Sequence, residues 1–113
     1  MKSQQLRFEK GFHVALSNTR AQVATMTIAP GEAEGGPTNR HRAADQWLYV
    51  LSGTGTALVN RKRVVLKSGT LLLVGHKDRH EIKCTGHALL RTLNFYVPPG
   101  YSKGGAELPA AKP

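Results

Sequence analysis

The sequence predicts an all-β domain, a closed barrel or a sandwich, on three observations. Short runs rich in Val, Leu, Thr and aromatic residues recur from near the start to Tyr96. Gly, Pro, Asn or Ser separates them at close intervals. No window of the chain offers a helical stripe with capping residues, so helix content should be low. A chain of 113 residues holds one such domain and buries a core without disulfide staples.

The elements follow in order. Ala21–Ile28 alternates loosely, with Ala24, Met26 and Ile28 on one face and Thr25 and Thr27 on the other. An acidic loop follows, bracketed by Pro30-Gly31 and Gly35-Gly36-Pro37. Gln46–Leu51 is a dense apolar run, and Gly55–Asn60 and Val64–Leu66 come next as further strands. Asn60-Arg61 sits where a two-residue hairpin prefers Asn-Gly. The positive φ required of Arg61 predicts a longer loop. Leu71–Val74, Glu81–Cys84 and Ala88–Tyr96 complete the strands, and residues 98–113, rich in Pro, Gly and Ala, read as an extended arm or tail.

Composition bounds the rest. The longest apolar run, Trp47–Leu51, has five residues, whereas a membrane-spanning helix needs about twenty. No signal-peptide core opens the chain, and the single cysteine, Cys84, excludes an internal disulfide. A cytoplasmic setting is the expectation. Sixteen Lys and Arg against seven Asp and Glu give a net charge of +9. That excess raises nucleic acid as a partner, but the basic residues are scattered apart from Arg61-Lys62-Arg63. Without aromatic stacking patterns the charge reads as solvated surface.

Chemistry concentrates in two stretches, residues 36–53 and 69–84. Residues two apart on a strand point the same way, about 6.6 Å apart, so Asn39 and His41 can address one point. Gln46 shares its face with Leu48 and Val50, the inward set of a closed barrel. Asp45 falls on the other parity with Trp47 and Tyr49, and becomes the interior carboxylate only if the register slips by one. His80 opens a later strand; facing inward, it meets His41, Gln46 and Asn39 at one spot. His76 lies in the loop just before it and is a weak candidate for a proton carrier. His13 and His87 carry no pattern. Cys84, four residues past His80 and about 13 Å along an extended strand, is too far to share its ligand and reads as a small buried hydrophobe.

These stretches resemble the two motifs of the cupin superfamily. Asn39-x-His41-x4-Gln46-x6-Gly53 follows the spacing of the first motif, and Gly69-x5-Gly75-x-Lys77-x2-His80-x3-Cys84 that of the second. The resemblance spans about residues 22–97 and implies a single-domain cupin β-barrel, jelly-roll-like, over residues 1–97. It implies that His41 and His80 hold a divalent transition metal ion, with Gln46 in place of the usual Glu and Asn39 in place of the first His. Two imidazoles and two neutral amides would leave the ion at about +2, against about +1 for three histidines and a carboxylate. Such donors suit Fe, Mn, Zn, Ni or Co alike. The resemblance further implies a small organic substrate inside the barrel, with dioxygenase, isomerase or lyase chemistry. A non-catalytic sensor or binding module is the rival reading, favoured by the incomplete ligand set. The apolar stripe Trp47, Tyr49 and Leu51 on the outer face points to a homodimer, as cupins commonly form.

Overall fold

The computed structural model describes residues 1–35 and 44–102. These form nine strands and no helix. The strands are β1 (Gly11–Ser17), β2 (Gln22–Ile28), β3 (Ala33–Gly35), β4 (Asp45–Ser52), β5 (Gly55–Val59), β6 (Lys62–Leu66), β7 (Leu71–Val74), β8 (His80–Cys84) and β9 (Leu90–Val97). Seven of the nine coincide with runs expected from sequence, their ends differing by no more than two residues. β1 and β3 are additions. β3 has only three residues, too few to show an alternation, and it exists by pairing along the edge of β8.

Two antiparallel sheets face each other, a five-stranded one in the order β1-β2-β9-β4-β7 and a four-stranded one in the order β3-β8-β5-β6. The pleat decides what each strand contributes. In β4, Gln46, Leu48 and Val50 are buried while Trp47 and Tyr49 are exposed. Gln46 pairs with Tyr96, Leu48 with Asn94 and Val50 with Thr92, so β9 turns the same parity inward. From the other sheet β8 contributes His80, Ile82 and Cys84. Met26, Ile28, Leu48, Val50, Ala57, Leu66, Ile82, Cys84 and Leu90 fill the space between. Each large side chain buried there contributes on the order of 1.5–3 kcal/mol.

The interior is graded along the strands. Ile28, Val50, Leu66, Cys84 and Leu90 make one end apolar, and Gln22, Gln46, His80 and Asn94 are buried toward the other. Gly53, which closes the first motif, joins β4 to β5 at φ +89°. A Cβ there would collide with the carbonyl of Leu89 and lie 2.8 Å from Leu90 Cα, so backbone contact requires glycine.

The β5–β6 hairpin corrects the longer loop expected for it. Val59 pairs with Lys62, leaving Asn60 and Arg61 as a two-residue turn at φ 49° and 68°. Asn60 makes the strained geometry tolerable. Its backbone N–H donates to Arg79 O, its Nδ2 to Asp78 Oδ1, and its Oδ1 accepts from Arg79 N–H, all within 2.9 Å. Arg61 makes no such bond, so Arg61→Gly should raise stability by about 0.5–1 kcal/mol. Equilibrium urea unfolding checks this; an unchanged or lower midpoint would show that the turn is unstrained at Arg61.

Candidate functional site

The polar end of the barrel is built by register. Gln22, Tyr96, Gln46 and Val74 form one row across the five-stranded sheet. On the facing sheet Lys62, Val59 and His80 form another. The β7–β8 loop joins the two rows, which places Gln46 and His80 at the same end of the interior. Gln46 is 1% exposed and His80 4%.

A chain of hydrogen bonds fixes which way the Gln46 amide points. Thr92 Oγ1 donates its single proton to the backbone carbonyl of Met26 at 2.7 Å, since a carbonyl can only accept. Thr92 Oγ1 must then accept from Asn94 Nδ2 at 3.0 Å, and Nδ2 also faces the carbonyl of Ala24 at 3.5 Å. Asn94 Oδ1 is left to accept from Gln46 Nε2 at 2.7 Å. The Gln46 oxygen is therefore the end turned away from Asn94. Thr92 and Asn94 are fully buried, so any break in this chain strands a polar group without solvent.

Aromatic rings close this end. Tyr96 packs with Phe12 and Tyr101 in a three-ring cluster, their ring centroids 6.2 and 5.0 Å from its own and 4.6 Å from each other. Tyr101 is held in turn by Gln22, whose amide accepts from Tyr101 N–H at 3.0 Å and donates to Tyr101 O at 2.7 Å. Burial pushes the Tyr96 hydroxyl well above the ordinary tyrosine value, and Tyr101 and Glu34 push it further. At neutral pH it is an O–H, a hydrogen-bond donor. The chain past β9 thus packs the partly buried Tyr101 against the core, a contribution its Pro/Gly-rich composition conceals.

Of the sequence candidates, Gln46 and His80 are both buried and lie in the end rows of the two facing sheets. Asn39 and His41 lie outside the described residues. Asp45 keeps to the outer parity, so no register slip carries it inside. It accepts from His76 N–H at 2.9 Å and pairs with His76 Nδ1 at 3.1 Å, with both side chains about half exposed. His76 is therefore tied to the outer rim. The backbone N–H and ring of His76 hold the Asp45 carboxyl below the usual carboxylate range. Cys84 is wholly buried and donates to Ala88 O at 3.2 Å, as its reading as a small hydrophobe requires. None of the described lysines or arginines is buried, and Arg61-Lys62-Arg63 surrounds the β5–β6 turn.

Among the contributors that the sequence reading did not place in the interior are Asn94, Tyr96 and Glu34. The first two share the inward parity of β9 with Leu90 and Thr92, a signal visible in the alternation of that strand. Glu34 gives no such signal, because the strand that turns it inward is only three residues long. Among the described residues no group of three or more His, Cys, Asp or Glu side chains stands together as a metal site. An imidazole and an oriented amide oxygen are nonetheless donors that a first-row divalent ion accepts.

The architecture is a small two-sheet β-barrel whose interior is apolar at one end and lined by imidazole, amide and phenol at the other. The cupin-domain family model matches residues 24–96, and the chain belongs to that family. No curated protein matches it. Among solved structures, BH2720 from Bacillus halodurans is 20% identical with a TM-score of 0.76, over 89% of this chain and 77% of that one. TT1209 from Thermus thermophilus is 17% identical with a TM-score of 0.74, over 87% and 98%. KdgF from Halomonas sp. is 18% identical with a TM-score of 0.68, over 78% and 77%. Identities this low speak to the fold.

Two outcomes are expected here. Thr92→Val keeps the shape but leaves Met26 O and Asn94 Nδ2 short of a partner, and should cost about 1–3 kcal/mol in urea unfolding. A variant as stable as the parent would mean that the chain of bonds does not anchor Gln46. Asp45 has a depressed folded-state pKa, so its contribution is complete above its ordinary value near 3.8 and is lost as pH falls through the lower folded-state value. Asp45→Asn should therefore be less stable than the parent at pH 7, by under about 1 kcal/mol for so exposed a pair. The difference should vanish in strong acid; a gap that persists at about pH 2 would assign it to something other than this ionisation.

Proposed function

We propose that this cupin is a metal-dependent protein that encloses a small organic molecule at the polar end of its barrel. One observation carries the reading: His80 and the oriented Gln46 oxygen are buried at the same end of the interior, on facing sheets. His80 and Gln46, with His41 and Asn39 from the first motif, would hold a divalent transition ion. Bound there, the ion would polarise an oxygen of the substrate and raise the acidity of a coordinated water. The chain's own groups bind and orient. The ring of Phe12 and the Tyr96–Tyr101 pair exclude water, and the Thr92–Asn94 chain keeps the Gln46 amide from rotating.

Within that reading, dioxygenase, isomerase and lyase reactions share the need for a polarised carbonyl or enolate, and we favour an enzyme. A non-catalytic sensor or binding module is the second reading, supported by the neutral amides in place of the full histidine and carboxylate set. We also propose that two copies pair through the outer face of β4, β7 and β9. Trp47, Leu73 and Phe95 lie in one register row there and Tyr49 and Leu71 in the next, all of them exposed. A thiol kept free and buried suits the reducing cytoplasm.

Metal analysis of protein purified without chelators tests the central reading. His41→Ala and His80→Ala should each abolish stoichiometric binding, whereas Cys84→Ser should leave it nearly intact. Retention in either histidine variant would overturn the ligand assignment. Less than about a tenth of an equivalent in the parent, with no gain on adding iron(II), manganese(II) or zinc(II), would favour the binding module over metal chemistry.

A further inference from the structure

Glu34, the middle residue of β3, stands opposite Ile82 of β8, and Ile82 is 1% exposed in the core. Glu34 therefore takes the inward parity, while Ala33 and Gly35 on either side are exposed. On the same face of β8, His80 is its diagonal neighbour, a relation that sets backbones roughly 7–8 Å apart and within reach of long side chains. The Glu34 charge also acts on the buried Tyr96 hydroxyl.

Its solitude is the other half of the observation. In a chain with sixteen Lys and Arg, Glu34 makes no hydrogen bond or ion pair among the described residues. Glu32, two residues earlier, is paired with Lys10 at 3.1 Å on the surface. A partly buried carboxylate with no partner among the described residues costs free energy unless a cation satisfies it.

We propose that Glu34 is a carboxylate ligand for a divalent cation held with His80 and Gln46, supplying the negative charge that the two cupin motifs of this chain lack. The assignment rests on the metal-dependent reading above. It makes the donor set imidazole, amide oxygen and carboxylate oxygen, and lowers the charge of the loaded site from about +2 to about +1. A carboxylate also shifts preference toward harder ions, so manganese(II) gains more from it than nickel(II).

The test titrates manganese(II) and nickel(II), each alone, into the full chain, following free manganese by electron paramagnetic resonance and nickel by calorimetry. The parent should bind about one equivalent. Glu34→Gln, which keeps the shape and removes the charge, should weaken manganese(II) binding roughly ten- to hundredfold and nickel(II) binding by less. Glu34→Asp should lose less than Glu34→Gln, and Glu32→Gln, which removes the same charge from the surface pair, should lose nothing. Unchanged affinity in Glu34→Gln, equal losses for both ions, or equal losses in Glu34→Gln and Glu32→Gln would overturn the assignment while leaving the metal reading intact. Should Glu34→Gln fail to fold, Glu34→Asp decides: affinity for both ions unchanged or lowered alike overturns the assignment. A parent that binds neither ion overturns both.

Discussion

A pleated strand can turn only every second residue to one side, and in a barrel this small that constraint determines the site. Gln46 faces inward because Leu48 and Val50 must, and Tyr96 and Asn94 face inward because Leu90 must. On the opposing sheet the need to bury Ile82 and Cys84 brings His80 with them. The apolar end of each strand thus sets the orientation of polar residues at the other end, where no hydrophobic gain would place them.

Burying those polar groups has a cost, and the interior meets it with directed hydrogen bonds. The carbonyl of Met26 can only accept, and from that fact the polarity of Thr92, Asn94 and Gln46 follows in turn. An amide normally free to flip is thereby given a fixed face. The described cations of this basic chain stay outside. Within, the described residues place amides, hydroxyls, the His80 imidazole and Glu34, a partly buried carboxylate. The enclosed surface therefore suits a cation far better than the net charge of the protein would indicate.

Much of this was legible in the sequence. The alternation Gln46, Leu48, Val50 against Trp47 and Tyr49 is complete enough to give face and register, and the spacing from Asn39 to Cys84 marks the family. Where local geometry departs from preference, reading failed. Asn60-Arg61 looked too strained for a tight turn because the bonds from Asn60 to Asp78 and Arg79 link positions far apart in the chain. β3 has three residues and borrows its conformation from β8, so nothing local marks Glu34 as inward. Tyr101 is placed by Gln22, 79 residues away, through bonds that no periodicity can reveal.

We propose a single place for a divalent ion, the polar end of the barrel. Paramagnetic broadening by substoichiometric manganese(II) in the backbone amide spectrum of the full chain tests it directly. The account predicts that the amides of Glu34, Gln46, His80 and Tyr96 broaden together, while those of Ile28, Leu66 and Leu90 at the apolar end stay sharp. Broadening centred on the exposed pair Asp45 and His76, or no selective broadening at all, would contradict it.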